Sequence, residues 1–428
     1  MASGIDLRGL RLERDGPDGP RLVIDGVDVV VPPGGRLALV GDNGSGKSTL
    51  LRHLAVPGVA PGRAAMVFQD PDEQLVAGTV AAEFALGAGA PGQDEARWAE
   101  PFGLDRHLGL DARLLSAGQK QRLQLALALR STPDVLLLDE PTSLQDDHSA
   151  AWLRRRLDQW PGAMVWATQR REEVALCHDV LVLRDGRPWR QGTVPEVLAD
   201  PQVQAILDPE RVAEPAPAPD GEGEGQPVCT VRDLSLAFAP GGGLGPLHLT
   251  VNAGDRLGVV GPNGCGKSTL LAAMAGLRRP DAGQVTLAGR PLYRRGPTDL
   301  DHGAAALAPQ FPEYLFTARN VAAEVALDPA LRGRPVDDLL ASLGLPADLA
   351  RRHPHDLSGG QKRRLALGLA LASRRPLVLL DEPTAALDGP GRRHVLDLIH
   401  AAGRASAVVI ASHDRAFLRS CGCRILEL

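Results

Sequence analysis

Short, wholly apolar runs recur along the chain, each tied to a stretch with helical periodicity. Val135-Leu-Leu-Leu138 and Leu377-Val-Leu-Leu380 carry no polar residue and are entered through Pro133 and Pro376. Runs this short and uniform predict central parallel strands covered on both faces. Ahead of each lies an apolar helical pattern, Leu123 to Leu129 and Leu365 to Leu371. Two further runs, Leu37 to Val40 and Leu257 to Val260, lead through a glycine-rich turn into helical patterns beginning Leu50-Leu51 and Leu270-Leu271. Strands alternating with helices predict an α/β fold, a mainly parallel sheet with helices on both sides. The whole pattern occurs twice.

The spacing of matching residues defines the repeat. Gln69 and Gln310, Ser116 and Ser358, Asp139 and Asp381, and Gln169 and His413 lie 241 to 244 residues apart, whereas Gly41 and Gly261 are 220 apart. The first copy is therefore about twenty residues shorter between its glycine loop and Gln69. These are two copies of one domain rather than a solenoid of short repeats. Residues 1–208 form the first copy and 228–428 the second, with 209–227 as linker. From Arg211 to Pro227 the chain is proline, glycine and acid without apolar periodicity, which predicts a solvated tether. Fully extended, it reaches at most roughly 55–60 Å. It would hold the copies at an effective concentration on the order of millimolar.

The glycine-rich turns supply the candidate chemistry. Gly41-Asp-Asn43-Gly44-Ser-Gly46-Lys47-Ser48-Thr49 and Gly261-Pro-Asn263-Gly264-Cys-Gly266-Lys267-Ser268-Thr269 both fit the P-loop pattern, between a strand and a helix as that loop requires. Backbone N–H groups and the helix N-terminus would cradle phosphate. Lys47 and Lys267 would reach the β- and γ-phosphates, and Ser48 and Ser268 would ligate Mg²⁺. The apolar strands end in Asp139-Glu140 and Asp381-Glu382. Each aspartate is expected to hold Mg²⁺ at one remove and each glutamate to polarise an attacking water, the parts that phosphoryl transfer needs. Ser116-Ala-Gly118-Gln119 and Ser358-Gly359-Gly360-Gln361, each opening a helix, offer a further anion site, although serine and glycine also cap helices for structural reasons alone.

Composition narrows the classes. At 428 residues and 44% hydrophobic content, two or three buried cores are affordable. A net charge of −5 gives no broad basic face, so nucleic acid is not expected as a partner. The five cysteines are too scattered for a disulfide or zinc framework and read as cytosolic thiols. No signal peptide and no apolar run near 18 residues is seen, so membrane work would pass through a partner. Only four of the 47 basic residues are lysines: Lys47, Lys120, Lys267 and Lys362. Two belong to the P-loops, where a compact ammonium fits and a guanidinium is too bulky; Lys120 and Lys362 follow the Ser-x-Gly-Gln stretches.

With these motifs in this order, the chain resembles the ATP-binding cassette (ABC) ATPases over nearly its whole length outside the linker. The resemblance implies two P-loop NTPase domains, each with a mainly parallel sheet, an antiparallel β subdomain and a helical subdomain. It implies a Q-loop glutamine (Gln69, Gln310) reaching nucleotide and metal, a signature at Ser116 to Gln119 and Ser358 to Gln361, and a switch histidine at His413. Cassettes of that family pair head to tail, which implies one ATP and Mg²⁺ site from Lys47, Ser48, Gln69, Asp139 and Glu140 with Ser358 and Gly360. The other would combine Lys267, Ser268, Gln310, Asp381, Glu382 and His413 with Ser116 and Gly118. The Q-loop segments Gln69-Asp-Pro-Asp-Glu-Gln-Leu75 and Gln310-Phe-Pro-Glu-Tyr-Leu-Phe316 look like the two ATPases of energy-coupling factor (ECF) importers, here fused. Glu83-Phe-Ala-Leu-Gly87 and Glu324-Val-Ala-Leu extend that likeness. It implies an ATP hydrolase on the cytoplasmic face of the membrane, driving uptake of a vitamin, vitamin precursor or transition-metal ion. Its partners would be a transmembrane coupling protein and a small substrate-binding membrane protein.

The copies depart from the pattern unequally. Gln169 stands where the second copy has His413, and an amide contacts a γ-phosphate without carrying a proton as imidazole does; the alternative reading is a merely steric substitute. Ser143-Leu-Gln-Asp146 differs from Ala385-Ala-Leu-Asp388. The adenine-stacking aromatic that the family implies is met by Phe238, but by Arg14 in the first copy, where a guanidinium would have to stack instead. The residues missing before Gln69 fall where the family has antiparallel strands. The expectation is a faster second site and a first site that mainly holds ATP. His53, His107, His148, His178 and His353 lack ligand spacing, Trp160 and Trp166 read as packing, and Arg154-Arg-Arg156 as a solvated helix face. Ribosome-associated tandem ABC translation factors and tandem sugar-importer ATPases share the two-cassette layout. The acidic linker argues against the first and the Q-loop residues against the second.

Overall fold

The computed structural model describes residues 4–16, 19–60, 62–86, 95–143, 145–207, 225–238, 242–293, 304–385, 387–401 and 406–428. The expected tether up to residue 224, Gly87, and residues 144 and 386 of the compared segments 143–146 and 385–388 lie outside the described residues. The chain divides into two units, Met1–Pro209 and Glu210–Leu428, each built around its own sheet.

In the first unit, β1 (Ile5–Gly16) and β2 (Gly19–Val31) form an antiparallel pair. The main sheet contains β3 (Arg36–Val40), β4 (Ala64–Val67), β5 (Val135–Asp139), β6 (Ala163–Ala167), β7 (Asp179–Arg184) and β8 (Arg187–Thr193). Its order is β4-β5-β6-β3-β7-β8, parallel throughout except for the terminal β7–β8 hairpin. Because side chains alternate across a strand, each strand feeds two cores. Leu37, Leu39, Leu137, Val165 and Leu181 face Leu50, Leu51 and the inner side of β2. Ala38, Val40, Leu136, Leu138, Met164 and Trp166 face the opposite layer, with Leu123 and Leu125 of the helix Ala117–Arg130 and Leu153 of Asp147–Asp158. Trp166 is a packing residue, as expected.

The second unit repeats the plan with additions. Its antiparallel sheet has β9 (Pro227–Ala237), β10 (Gly243–Asn252), β12 (Ala282–Leu287) and β13 (Arg290–Pro291), in the order β10-β9-β12-β13. The parallel sheet, ordered β14-β15-β16-β11-β17, contains β11 (Arg256–Val260), β14 (Ala305–Ala308), β15 (Leu377–Asp381), β16 (Ala407–Ala411) and β17 (Arg424–Glu427). The residues missing from the first copy are thus accounted for in part by β12 and β13, which have no counterpart among its described residues. The helical subdomain, with Val321–Leu327, Val336–Ser342 and the start of Gly359–Ala372, has a separate core around Phe316, Val325, Leu340 and Leu365.

In both sheets the strand before the switch residue lies between the Asp-Glu strand and the P-loop strand. Asp139 and Leu39 both register with Ala167, and Asp381 and Val259 with Ala411. Parallel strands with crossover connections therefore release three loops at one sheet edge, where α/β folds place ligands.

Candidate nucleotide sites

Each P-loop closes on a glycine that nothing else replaces. Gly46 and Gly266 precede the helices Lys47–Leu54 and Lys267–Met274 at φ 103° and 104°, left-handed angles that glycine adopts freely. A Cβ on Gly46 would lie 2.6 Å from Ile24 Cδ1, and one on Gly266 2.2 Å from Phe238 Cζ. Phe238 therefore stands against its P-loop. Arg14 does not: it is exposed on β1 opposite Arg21, and Ile24 of β2 fills the equivalent place. At Gly44 and Gly264, also left-handed, nothing lies within 4 Å of where a Cβ would stand, so the loop crown is open to an anion.

The lysines are buried and fold back over these loops. Lys47 Nζ donates to the carbonyls of Gly41 (2.6 Å) and Asp42 (3.2 Å), and Lys267 Nζ to those of Gly261 (2.7 Å) and Pro262 (3.2 Å). Ser48 hydrogen-bonds Asp139 and Ser268 hydrogen-bonds Asp381. Burial raises both aspartates above the usual carboxylate range, against the pull of those serines and of Lys47 and Lys267. Asp381 is pushed up to about 6, with Glu382 adding to the effect. Its Oδ1 is buried without a hydrogen-bond partner.

Glu140 and Glu382 leave their strands at φ 43° and 46°, a left-handed conformation that costs a non-glycine residue about 1–3 kcal/mol. Both are held there by the next strand: Glu140 N donates to Ala167 O (3.0 Å) and Glu382 N to Ala411 O (2.8 Å). Beyond the backbone the two sites differ. Glu140 accepts from Gln69 Nε2 at 3.2 Å and lies 3.6 Å from Lys47 Nζ. Burial raises its carboxyl, with Lys47 opposing. Gln169 turns to the P-loop instead, its Nε2 3.5 Å from Gly41 O and 3.3 Å from Asn43 Oδ1. In the second unit the switch segment closes on the glutamate. His413 Nδ1 lies 3.1 Å from Glu382 Oε2, His413 N donates to Oε1 (3.2 Å), and Ser412 Oγ donates to Oε2 (3.1 Å).

The signature residues are engaged within their own helices. Ser116 Oγ accepts from Gln119 N (3.3 Å) while Gln119 Oε1 accepts from Ser116 N (2.9 Å), and Ser358 with Gln361 repeats both distances. These capping boxes hold two otherwise orphaned N–H groups at each helix start. Gly118 is buried, Ser149 Oγ lying 3.2 Å from where its Cβ would stand, while Ser358 and Gly359 are exposed and Gly360 is half-buried. Lys120 binds Asp72 at 2.7 Å, fastening the signature helix to the segment after Gln69; Gln121 Nε2 and Gln124 Nε2 add bonds to Phe68 O and Pro71 O. Arg363 has the corresponding duty in the second unit, donating to Gln310 O (2.9 Å) and Glu382 O (2.6 Å). Glu83 and Glu324, both buried, each accept two backbone N–H groups of the segment after the Q-loop.

Sequence reasoning missed Ile24, Arg363, Ser412 and Glu173. Glu173 is buried and accepts from the Thr142 and Thr168 hydroxyls. Pairing the copies at the Gln169–His413 offset would have flagged it, because Phe417 is its counterpart.

A glycine loop, a buried lysine and strand-end carboxylates meeting at one sheet edge define a P-loop nucleotide-binding protein. Residues 24–57, 58–143 and 244–385 match the ABC transporter family. The chain is 32% identical to a putative ABC transporter ATP-binding protein of Streptomyces avermitilis, over 91% of this chain and 86% of that one. It is 35% identical to the methionine import ATP-binding protein MetN of Mesorhizobium japonicum, over 52% of this chain and 61% of that one. The solved archaeal ribosome recycling factor, in complex with a ribosomal stalk protein, shares the fold at a TM-score of 0.63 and 21% identity, over 93% of this chain and 84% of that one. The protein belongs to the ABC transporter family, as two tandem ATPase cassettes.

Proposed function

We propose that the chain binds and hydrolyses ATP with Mg²⁺ as the energy-coupling subunit of an ECF-type importer of a vitamin, vitamin precursor or transition-metal ion. The observation that carries the ATPase reading is the convergence, in both units, of an open P-loop crown, a buried lysine and an Asp-Glu strand end. A cation fits beside them: Ser268 already touches Asp381, whose buried Oδ1 has no partner. Ser48 with Asp139 offers the same pair in the first unit. When bound, Mg²⁺ would neutralise phosphate charge. Among the described residues no group of three or more His, Cys, Asp or Glu side chains is placed to hold a metal, so the nucleotide's phosphates would complete its coordination. Lys47 and Lys267 would exchange their loop carbonyls for phosphate oxygens. Glu382, oriented by Ser412 and His413, would orient the attacking water, and Gln169 would contact the γ-phosphate in the first site.

Membership of the family and likeness to an import ATPase support coupling to transport, and the Q-loop residues favour the ECF type. No described helix is long and apolar enough to cross a membrane, so transport would require a transmembrane coupling protein and a small substrate-binding protein, with this chain on the cytoplasmic face. The likeness to a ribosome recycling factor is one of fold alone at this identity. Affinity purification of the full chain from detergent-solubilised membranes and from the ribosomal fraction separates the two. Recovery with multi-span membrane proteins, and ATPase activity stimulated by them, is expected; recovery with ribosomes alone would overturn the importer reading.

A further inference from the structure

We infer that Glu173 is a positioning residue of the first site, tying the segment that leaves Glu140 to the segment that carries Gln169. Thr142 lies two residues after Glu140 and Thr168 immediately before Gln169. Both hydroxyls donate to the Glu173 carboxylate, one to each oxygen. All three residues are buried, at 1% exposure each, so water offers these groups no alternative partner. Thr168 Oγ1 also accepts from Arg170 N at 3.0 Å, which fixes the turn just past Gln169. Glu173 is itself anchored on the short helix Arg171–Val174, its N donating to Arg170 O.

The second unit shows what the same frame does without this clamp. Phe417 occupies the matching position and is buried among Val395, Ile410 and Leu418. The hydroxyl matching Thr168 belongs to Ser412, and it donates to Glu382 rather than to a carboxylate behind the loop. There the switch residue closes on the catalytic glutamate. In the first unit Thr168 is turned to Glu173, and Gln169 stands over Gly41 and Asn43, where a γ-phosphate would be felt. The carboxylate thus sets the distance between two loops, and with it the contact that distinguishes ATP from ADP.

This inference rests on the ATP-binding reading, and its test separates the two. In the full chain carrying Lys267→Ala, which disables the second P-loop, fluorescent ATP and ADP analogues are titrated with Mg²⁺ to obtain Kd at the first site. Glu173→Gln keeps the shape and loses one acceptor. ATP binding is expected to weaken about five- to tenfold, the worth of one displaced hydrogen bond, while ADP stays within about twofold. Thr168→Val, which leaves Glu173 in place, should do the same, and the double variant should be no worse than either single one. Equal weakening of ATP and ADP, or no change in either, would overturn the positioning role. A parent chain that binds neither nucleotide would remove the ATP-binding reading and this inference with it.

Discussion

Glu140 and Glu382 leave matching strands at nearly the same backbone angle, yet they answer to different neighbours. Glu382 is enclosed by Ser412 and His413, so a group able to carry a proton sits against it. Glu140 is engaged by Lys47 and Gln69, while its switch residue faces the P-loop. The frame is duplicated and the side-chain circuit is not. A backbone set by sheet register tolerates a changed circuit, because Ala167 and Ala411 hold the glutamate N–H whatever follows them.

The largest expected effect is on turnover. Glu382→Gln should lower steady-state ATPase activity of the assembled protein about 100-fold or more, and Glu140→Gln by less than about threefold, in the range seen when an acid–base group is removed. Equal losses would break the comparison. Next, His413→Gln makes the second switch resemble the first and should cost roughly tenfold in kcat; Gln169→His, in a Glu382→Gln chain, should raise the residual rate. A rate untouched by His413→Gln would show that the imidazole is not the distinguishing feature.

Stability sharpens the contrast further. Arg363→Ala leaves the carbonyls of Gln310 and Glu382 without their donor and should cost about 2–4 kcal/mol, whereas Lys120→Ala breaks an ion pair with a half-exposed aspartate and should cost under about 1 kcal/mol. Thermal unfolding of both variants measures the difference. Stability also depends on pH. The Asp381 carboxyl is pushed up to about 6 from the usual 3.8, so the unfolded chain releases this proton first. The ligand-free second unit therefore loses stability as pH rises from about 4 to about 6, and below that window the loss is absent. Asp381→Asn should stabilise it by on the order of 3 kcal/mol at pH 7 and by almost nothing near pH 3.5. Asp139→Asn should act in the same direction. A stability gain that persists at low pH would point to packing rather than to the buried charge.

Much of this was legible in the chain. Val135 to Leu138 and Leu377 to Leu380 are central strands, because uniform apolar runs have no other stable place. The glycine loops lie between strand and helix where the spacing put them, since those three parts are local in sequence. What stayed hidden was set by tertiary contact. Glu173 looks like a surface glutamate in a first helical turn until Thr142 and Thr168 are seen to reach it. Arg14 aligned with Phe238 by counting, yet bulges between β1 and β2 shift the register and bring Ile24 to the loop. The partner of Lys120 was invisible because Asp72 lies 48 residues away; Lys362 makes no ion pair among the described residues.

The scarcity of lysine has a chemical consequence. Four side-chain amines serve the entire sequence, and two of them are folded over the glycine loops beneath their own carbonyls. Acylation, which scatters over dozens of sites on an ordinary surface, would here have four side-chain targets, half of them at the glycine loops, and each added acyl group would be countable on the intact mass.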